Sequence, residues 1–383
     1  MTNIAKETLL EMLRAMYSIR SFELRMHALF QEKSLAGDFL GALHSYEGQE
    51  AVAAGVGACL RRDDYLFSTH RGHGHAIAKG LDLNKMVAEL LGKDAALFFP
   101  SGTQANQTAM LLHTSPGTEA VCDSESHVFN YELADAAWLA GVQLNPVESD
   151  HGRLTAADVV KAIRPGDQHH SLTSLVWMEN THNMHGGVVV PLDAMRSVRE
   201  AASERGLPVH LDGARLWNAS AASKTSLSDY SACADTVMVC FSKGLGCPIG
   251  SMLVGPQDLI DAAWSVRKRL GGGMRQVGIL AAAGLWSLDH ILPGLPDDHS
   301  RASRLAEACG KIDGLRPIEP DTNIVMIDIT TPEIDAAGLA RLLEEHGVYL
   351  LPAGPTRVRA VTHFDIDDAG IARAIEGFRS VLS

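Results

Sequence analysis

Beyond residue 95, short apolar runs alternate with helical stretches: "AALFF", "AVCD", "SLVWMEN", "LPVHLDG", "TVMVCFSKG" and "SMLVG". Runs of this length, separated by helix-sized segments, predict a mainly parallel α/β sheet. Polar or ionisable residues lie at or just past the ends of the first five runs: Ser101 and Thr103, His127, Glu179 and Asn180, Asp212 and Arg215, Ser242 and Lys243. Ligands of open α/β sheets bind outside the carboxyl ends of the strands, so these residues are candidates for one cleft.

From residue 299 the pattern changes to a helix around "HSRASRLAEACGKI", a strand "NIVMIDI", a helix "AAGLARLLEEHG" and a strand "RVRAVTH", which predicts a smaller α+β domain. "LPGLPDD" reads as the linker before it. "MTNIAKETLLEMLRAMYSIRSFE" carries acids among its apolar positions and reads as an amphipathic helix rather than a targeting signal. The expected organisation is an N-terminal segment over 1–92, a large domain over 93–292 and a small one over 293–383.

A chain of 383 residues with 46% hydrophobic residues can bury a substantial core. Its formal charge of −13 argues against sequence-independent binding of nucleic acid or anionic membrane, both of which need a basic surface. The six cysteines show no Cys-x-x-Cys pair or zinc spacing, and no apolar window is long enough to span a membrane. No metal site is expected, and the expected location is the cytoplasm.

Three sites carry candidate chemistry. "PSGTQANQ" ends a strand and starts a helix, where free amides, the Thr103 hydroxyl and Gly102, which lets backbone approach closely, suit an anion such as phosphate; plain helix capping is the alternative. In "HLDGARLW", Asp212 at a buried strand end can hold a heterocyclic nitrogen protonated, or serve only as a turn residue. In "FSKGLG", Lys243 can form a Schiff base, or be a surface lysine. Phosphate cradle, histidine, Asp and Lys, each after a parallel strand, is the order that a pyridoxal phosphate site needs.

Residues from about 86 to 383 resemble the low-specificity L-threonine aldolases among the fold type I pyridoxal phosphate enzymes, through "FFPSGTQANQ", "SESHVFNYE", "ENTHNMHGG", "HLDGARLWNA", "FSKGLGCPIGS", "LGGGMRQVG" and "VTHFD". The resemblance implies a large domain with a mainly parallel sheet, a small C-terminal α+β domain and a helical N-terminal extension. It also implies Lys243 as the Schiff-base lysine, Asp212 as the pyridine-nitrogen partner, Ser101, Gly102 and Thr103 at the phosphate and His127 stacked on the ring. His169, with His170 beside it, matches a second histidine near the substrate hydroxyl. Arg215 and Arg359 would approach the ring oxygen or the substrate carboxylate, and Arg275 a neighbouring subunit's phosphate in a homodimer or homotetramer. The implied reaction is cleavage of L-threonine, L-allo-threonine or another β-hydroxy amino acid to glycine and an aldehyde, with a histidine or water held by it as base.

Residues 1–92 resemble a different family, the alpha subunit of thiamine-diphosphate-dependent 2-oxo-acid dehydrogenases, through "HSYEGQEAVAAGVGACLRRDDYLFSTHRGHGHAIAKG" and its His70, Arg71, His73 and His75. That family holds magnesium with a Gly-Asp-Gly stretch, and the chain contains none. "MVAELLGK" suits both families, so a fusion within a shared helix is expected. The Arg-Ser-Asp-Thr-like and Tyr-Gly-Asp-Asp-Pro-like segments of the aldolases do not occur. Thiamine-dependent activity and a catalytically weak hybrid are therefore the alternatives.

Overall fold

A computed structural model describes residues 5–35, 50–59, 83–275 and 277–382. The loop holding His70, Arg71, His73 and His75 lies outside the described residues. The chain divides into two units, residues 1–83 with 273–285, and residues 84–272 with 286–383. In the first, helices Lys6–Leu35 and Glu50–Cys59 pack on each other, burying Ile19, Ala53 and Ala54. The predicted N-terminal helix is therefore present.

The second unit is built on two sheets. The larger has the order β1-β7-β6-β5-β4-β2-β3, with β1 Ala95–Phe99, β2 Glu119–Asp123, β3 Gln143–Val147, β4 Thr173–Glu179, β5 Val209–Gly213, β6 Thr236–Cys240 and β7 Ser251–Gly255. Strands β3, β2, β4, β5 and β6 are parallel, and β7 is antiparallel to both β6 and β1. Every residue of β2, β5, β6 and β7 is buried, which is why these strands read as unbroken apolar runs rather than alternating ones. The sequence reading missed β3, "QLNPV", because Pro146 and its half-exposed residues disguise it; an edge strand tolerates both.

Helices Gly102–His113 and Gln257–Arg269 cover one part of the sheet, with Leu97, Phe99, Ala105, Met238 and Leu253 in the layer between. The smaller sheet, β10-β11-β9-β8, is antiparallel: β8 Leu315–Pro317, β9 Ile324–Ile329, β10 Leu351–Pro352 and β11 Arg357–Val361. Val325, Ile327 and Val358 meet Leu305, Leu339 and Phe378 of its helices. "LPGLPDD" is not a loose linker. Its first three residues form a 3-10 turn and the rest opens the helix Leu295–Cys309, where Pro296 sits in the first turn and sacrifices no intrahelical bond.

Candidate active site

Strand β5 brings Asp212 to its carboxyl end with only 2% of the residue exposed. One carboxylate oxygen accepts the Ala214 amide at 3.0 Å and the other the Asn106 side chain at 2.8 Å. Neither partner is a cation. Gly213 is required here by close approach, since a Cβ would lie 2.7 Å from the Met238 carbonyl of β6. That neighbouring strand continues through Phe241 and the exposed Ser242 to Lys243, which is half-buried. Burial pushes the Cys240 thiol up, and the Lys243 charge nearby partly opposes it.

The carboxylate of Glu132, whose side chain is fully buried, organises the next layer. It accepts Asn106 Nδ2 at 2.9 Å, Gln107 Nε2 at 2.5 Å and His127 Nδ1 at 3.0 Å. Asn106 thereby joins Glu132 to Asp212. Its oxygen meets His210 Nε2 at 3.3 Å, and His210 Nδ1 meets Thr236 Oγ1 at 2.8 Å, so a buried hydrogen-bonded chain backs the acid. Burial, with His113 nearby, holds His210 well below the usual histidine range and therefore neutral.

His127 opens a short helix, its main-chain amide donating to Glu179 Oε2 at 2.7 Å. Burial works against its charged form, but the hydrogen bond to Glu132 and the charges of Asp212, Glu132 and Glu179 outweigh it, so the imidazole titrates above its ordinary range. Potential ligand atoms of His127, Glu132 and Asp212 lie within 4.8 Å of one another, so ring and acid border one space. Glu179, at the end of β4, also accepts the Asn183 amide at 2.8 Å. Burial pushes that carboxyl above the usual range.

Two arginines converge opposite. Asn183 Oδ1 accepts Arg215 Nη1 at 3.3 Å and Arg359 Nη2 at 2.9 Å, and the Nε of each arginine is buried without a partner. Burial, reinforced by the Arg359 charge, draws Arg215 down to about 10. Burial also lowers Arg359. Two partly buried guanidiniums that share one neutral acceptor keep donors that can meet an anion, and a planar carboxylate matches their forked geometry.

At the end of β1, Ser101 caps the helix Gly102–His113 by accepting the Gln104 amide at 3.2 Å. The amides of Gly102 and Thr103 precede the first intrahelical donor and are left for an anion at the positive end of the helix. A buried acid without a cation, a lysine on the adjacent strand end, a helix start and an arginine pair fit a flat, anionic, aldehyde-bearing heterocycle together with a carboxylate substrate.

One of the expected residues, His169, does not join this group within the unit that holds it. His169 is exposed in the turn that precedes β4, where Asp167 Oδ1 accepts its amide at 2.7 Å. It sits at the amino end of a strand whose carboxyl end faces the cleft, and a 7-residue strand places those ends roughly 20 Å apart. Within the single chain, His169 therefore lies at the opposite end of β4 from the cleft. Arg275 is exposed at a bend in the other unit. Conversely, Asn106, Glu132 and Asn183 carry the network yet were not singled out, although each lies within a motif quoted above.

The profile of the beta-eliminating lyase family matches residues 68–332. A probable low-specificity L-threonine aldolase 2 of Arabidopsis thaliana is 38% identical over 309 residues, covering 79% of this chain and 87% of that protein. The low specificity L-threonine aldolase of Escherichia coli K12 is 38% identical over 302 residues, covering 79% and 88%. A crystal structure described as a candidate L-allo-threonine aldolase from Listeria monocytogenes EGD-E has the same fold, with a TM-score of 0.70 at 24% identity, covering 89% of this chain and 94% of that one. The chain thus belongs to the beta-eliminating lyases, within the low-specificity L-threonine aldolase branch of the fold type I pyridoxal phosphate enzymes.

Proposed function

We propose that this protein cleaves L-threonine, L-allo-threonine or a related β-hydroxy amino acid to glycine and an aldehyde, using pyridoxal 5'-phosphate. The observation that carries the reading is the pairing of Asp212 and Lys243 on adjacent strand ends, with the Arg215–Arg359 receptor beside them. Bound pyridoxal phosphate supplies an aldehyde that joins amines and a ring that takes up the electron pair of the breaking Cα–Cβ bond.

The chain's own residues account for the rest. Asp212 keeps a proton on the ring nitrogen, and the neutral amide of Asn106 orients it without competing for that proton. Lys243 would supply the amine that holds the aldehyde. Gly102 and Thr103 bind phosphate through their amides, with Ser101 fixing the loop. Arg215 and Arg359 hold the substrate carboxylate. Glu132 fixes His127 through Nδ1, which leaves Nε2 to exchange a proton with the β-hydroxyl directly or through water. The pure protein should absorb in the visible, change its spectrum on adding L-threonine, and release glycine and acetaldehyde. Lys243→Ala should lose that absorbance; a variant that keeps it refutes the assignment.

The thiamine reading of residues 1–92 draws no support from the family match, which already begins at residue 68 inside the histidine loop. We keep the fusion as a proposal, with the front segment serving subunit contacts. Leu9, Leu13 and Tyr17, four residues apart on one helix face, are 49%, 46% and 68% exposed, which favours burial in a homodimer or homotetramer. Arg275 would then reach the phosphate of a neighbouring subunit, and sedimentation of an Arg275→Ala variant beside its cofactor affinity would separate assembly from binding. Among the described residues no helix is long and apolar enough to cross a membrane. All six cysteines are unpaired, in keeping with a cytoplasmic location.

A further inference from the structure

A second group of ionisable side chains occupies the ends of β2 and β4, on the far side of Glu179 from Asp212. Asp123 closes β2, Glu125 follows it, and His182 and His185 lie in the turn after β4. Potential ligand atoms of Asp123, His182 and His185 fall within 4.8 Å of one another. His182 Nε2 is 3.1 Å from Asp123 Oδ1, and His185 Nε2 is 3.5 Å from Glu125 Oε2. With bonds of about 2.0–2.2 Å, the ligands of a tetrahedral cation stand roughly 3.3–3.5 Å apart, so both spacings approximate an edge of such a tetrahedron.

The surroundings are those of a built site. The His182 side chain is fully buried and turns Nε2 toward the carboxylate of Asp123. Asp123 is itself oriented, its Oδ2 accepting Ser149 Oγ at 2.5 Å and its Oδ1 the Glu125 amide at 2.9 Å. Gly152, at φ +77°, passes so close that a Cβ there would lie 2.2 Å from His182 Cδ2, which fixes the ring from behind. The His185 and Glu125 side chains are 19% and 56% exposed, giving a route from solvent.

We propose that Asp123, His182 and His185 bind a divalent first-row cation of the zinc class, with Glu125 closing the fourth position. Two imidazoles and two carboxylates select zinc, cobalt or nickel over magnesium or calcium, which prefer oxygen ligands. The cation would fasten the turn that carries Asn183, adjacent to His182, and so stiffen the seat of Arg215 and Arg359 without touching substrate.

The test uses the pyridoxal-phosphate-loaded protein, dialysed against a chelator and titrated with zinc chloride by calorimetry and with cobalt chloride by visible absorption. One equivalent per chain and the visible bands of tetrahedral cobalt are expected. His185→Ala should bind zinc on the order of a hundredfold more weakly, and Glu125→Gln about tenfold, whereas the remote His290→Ala should match wild type. Failure of the wild type to take up zinc overturns the proposal, as does equal affinity in wild type and His185→Ala with both proteins folded by circular dichroism.

Discussion

Arg215 and Arg359 donate to the same atom, Asn183 Oδ1, at 3.3 and 2.9 Å. One arginine follows β5 of the large sheet and the other lies on β11 of the small one. Their meeting leaves two positive, partly buried groups with one neutral acceptor, an arrangement that an anion would complete.

Arg359→Leu should therefore raise KM for L-threonine while affecting kcat less. Loss of a charge-assisted contact costs about 1.5–3 kcal/mol, or roughly ten- to a hundredfold in kcat/KM. Steady-state kinetics with L-threonine check this, and an unchanged KM removes Arg359 from the carboxylate site.

Asp212→Asn should retain cofactor, because the Lys243 amine and the Gly102 and Thr103 amides remain, but lose the negative charge facing the ring nitrogen. We expect kcat to fall at least roughly tenfold, with KM changing less. Cofactor content by absorbance and kcat measured on one preparation separate the two effects.

Glu132→Gln keeps a hydrogen-bonding group beside His127 and removes the charge. After burial, which disfavours the imidazolium, the Glu132 hydrogen bond is the principal influence raising this histidine. Its removal should lower the pKa and move the acid limb of the kcat/KM profile to lower pH. A limb that stays in place would show that His127 does not govern it.

His299 offers a stability test. Burial, with the Lys224 charge, draws it down to about 4, and its Nε2 accepts Asn218 Nδ2 at 3.0 Å. Unfolded histidine titrates near 6.5, so between the two values the unfolded chain binds more protons and stability falls as pH falls. Thermal melts of wild type should lose stability from about pH 6.5 toward 4. In His299→Gln, which cannot titrate, that component of the slope should vanish.

The strand ends were readable because buried parallel strands are continuous apolar runs, and Asp212, Lys243 and His127 each lie at or just beyond the end of one. The hidden layer was not. Asn106 and Gln107 look like solvent-facing positions of a helix, and Glu132 like a turn acid, yet all three are buried, with both amides donating to the one carboxylate. Pairing across 25 and 26 residues leaves no periodic trace in the sequence.

The convergence of Asn106, Gln107 and His127 on one carboxylate makes these positions an epistatic block. Replacing Glu132 strands three donors at once, so later changes to any of them should cost less in that background than alone. A family member that has lost the acid would then be expected to have diverged at its partners together rather than one at a time.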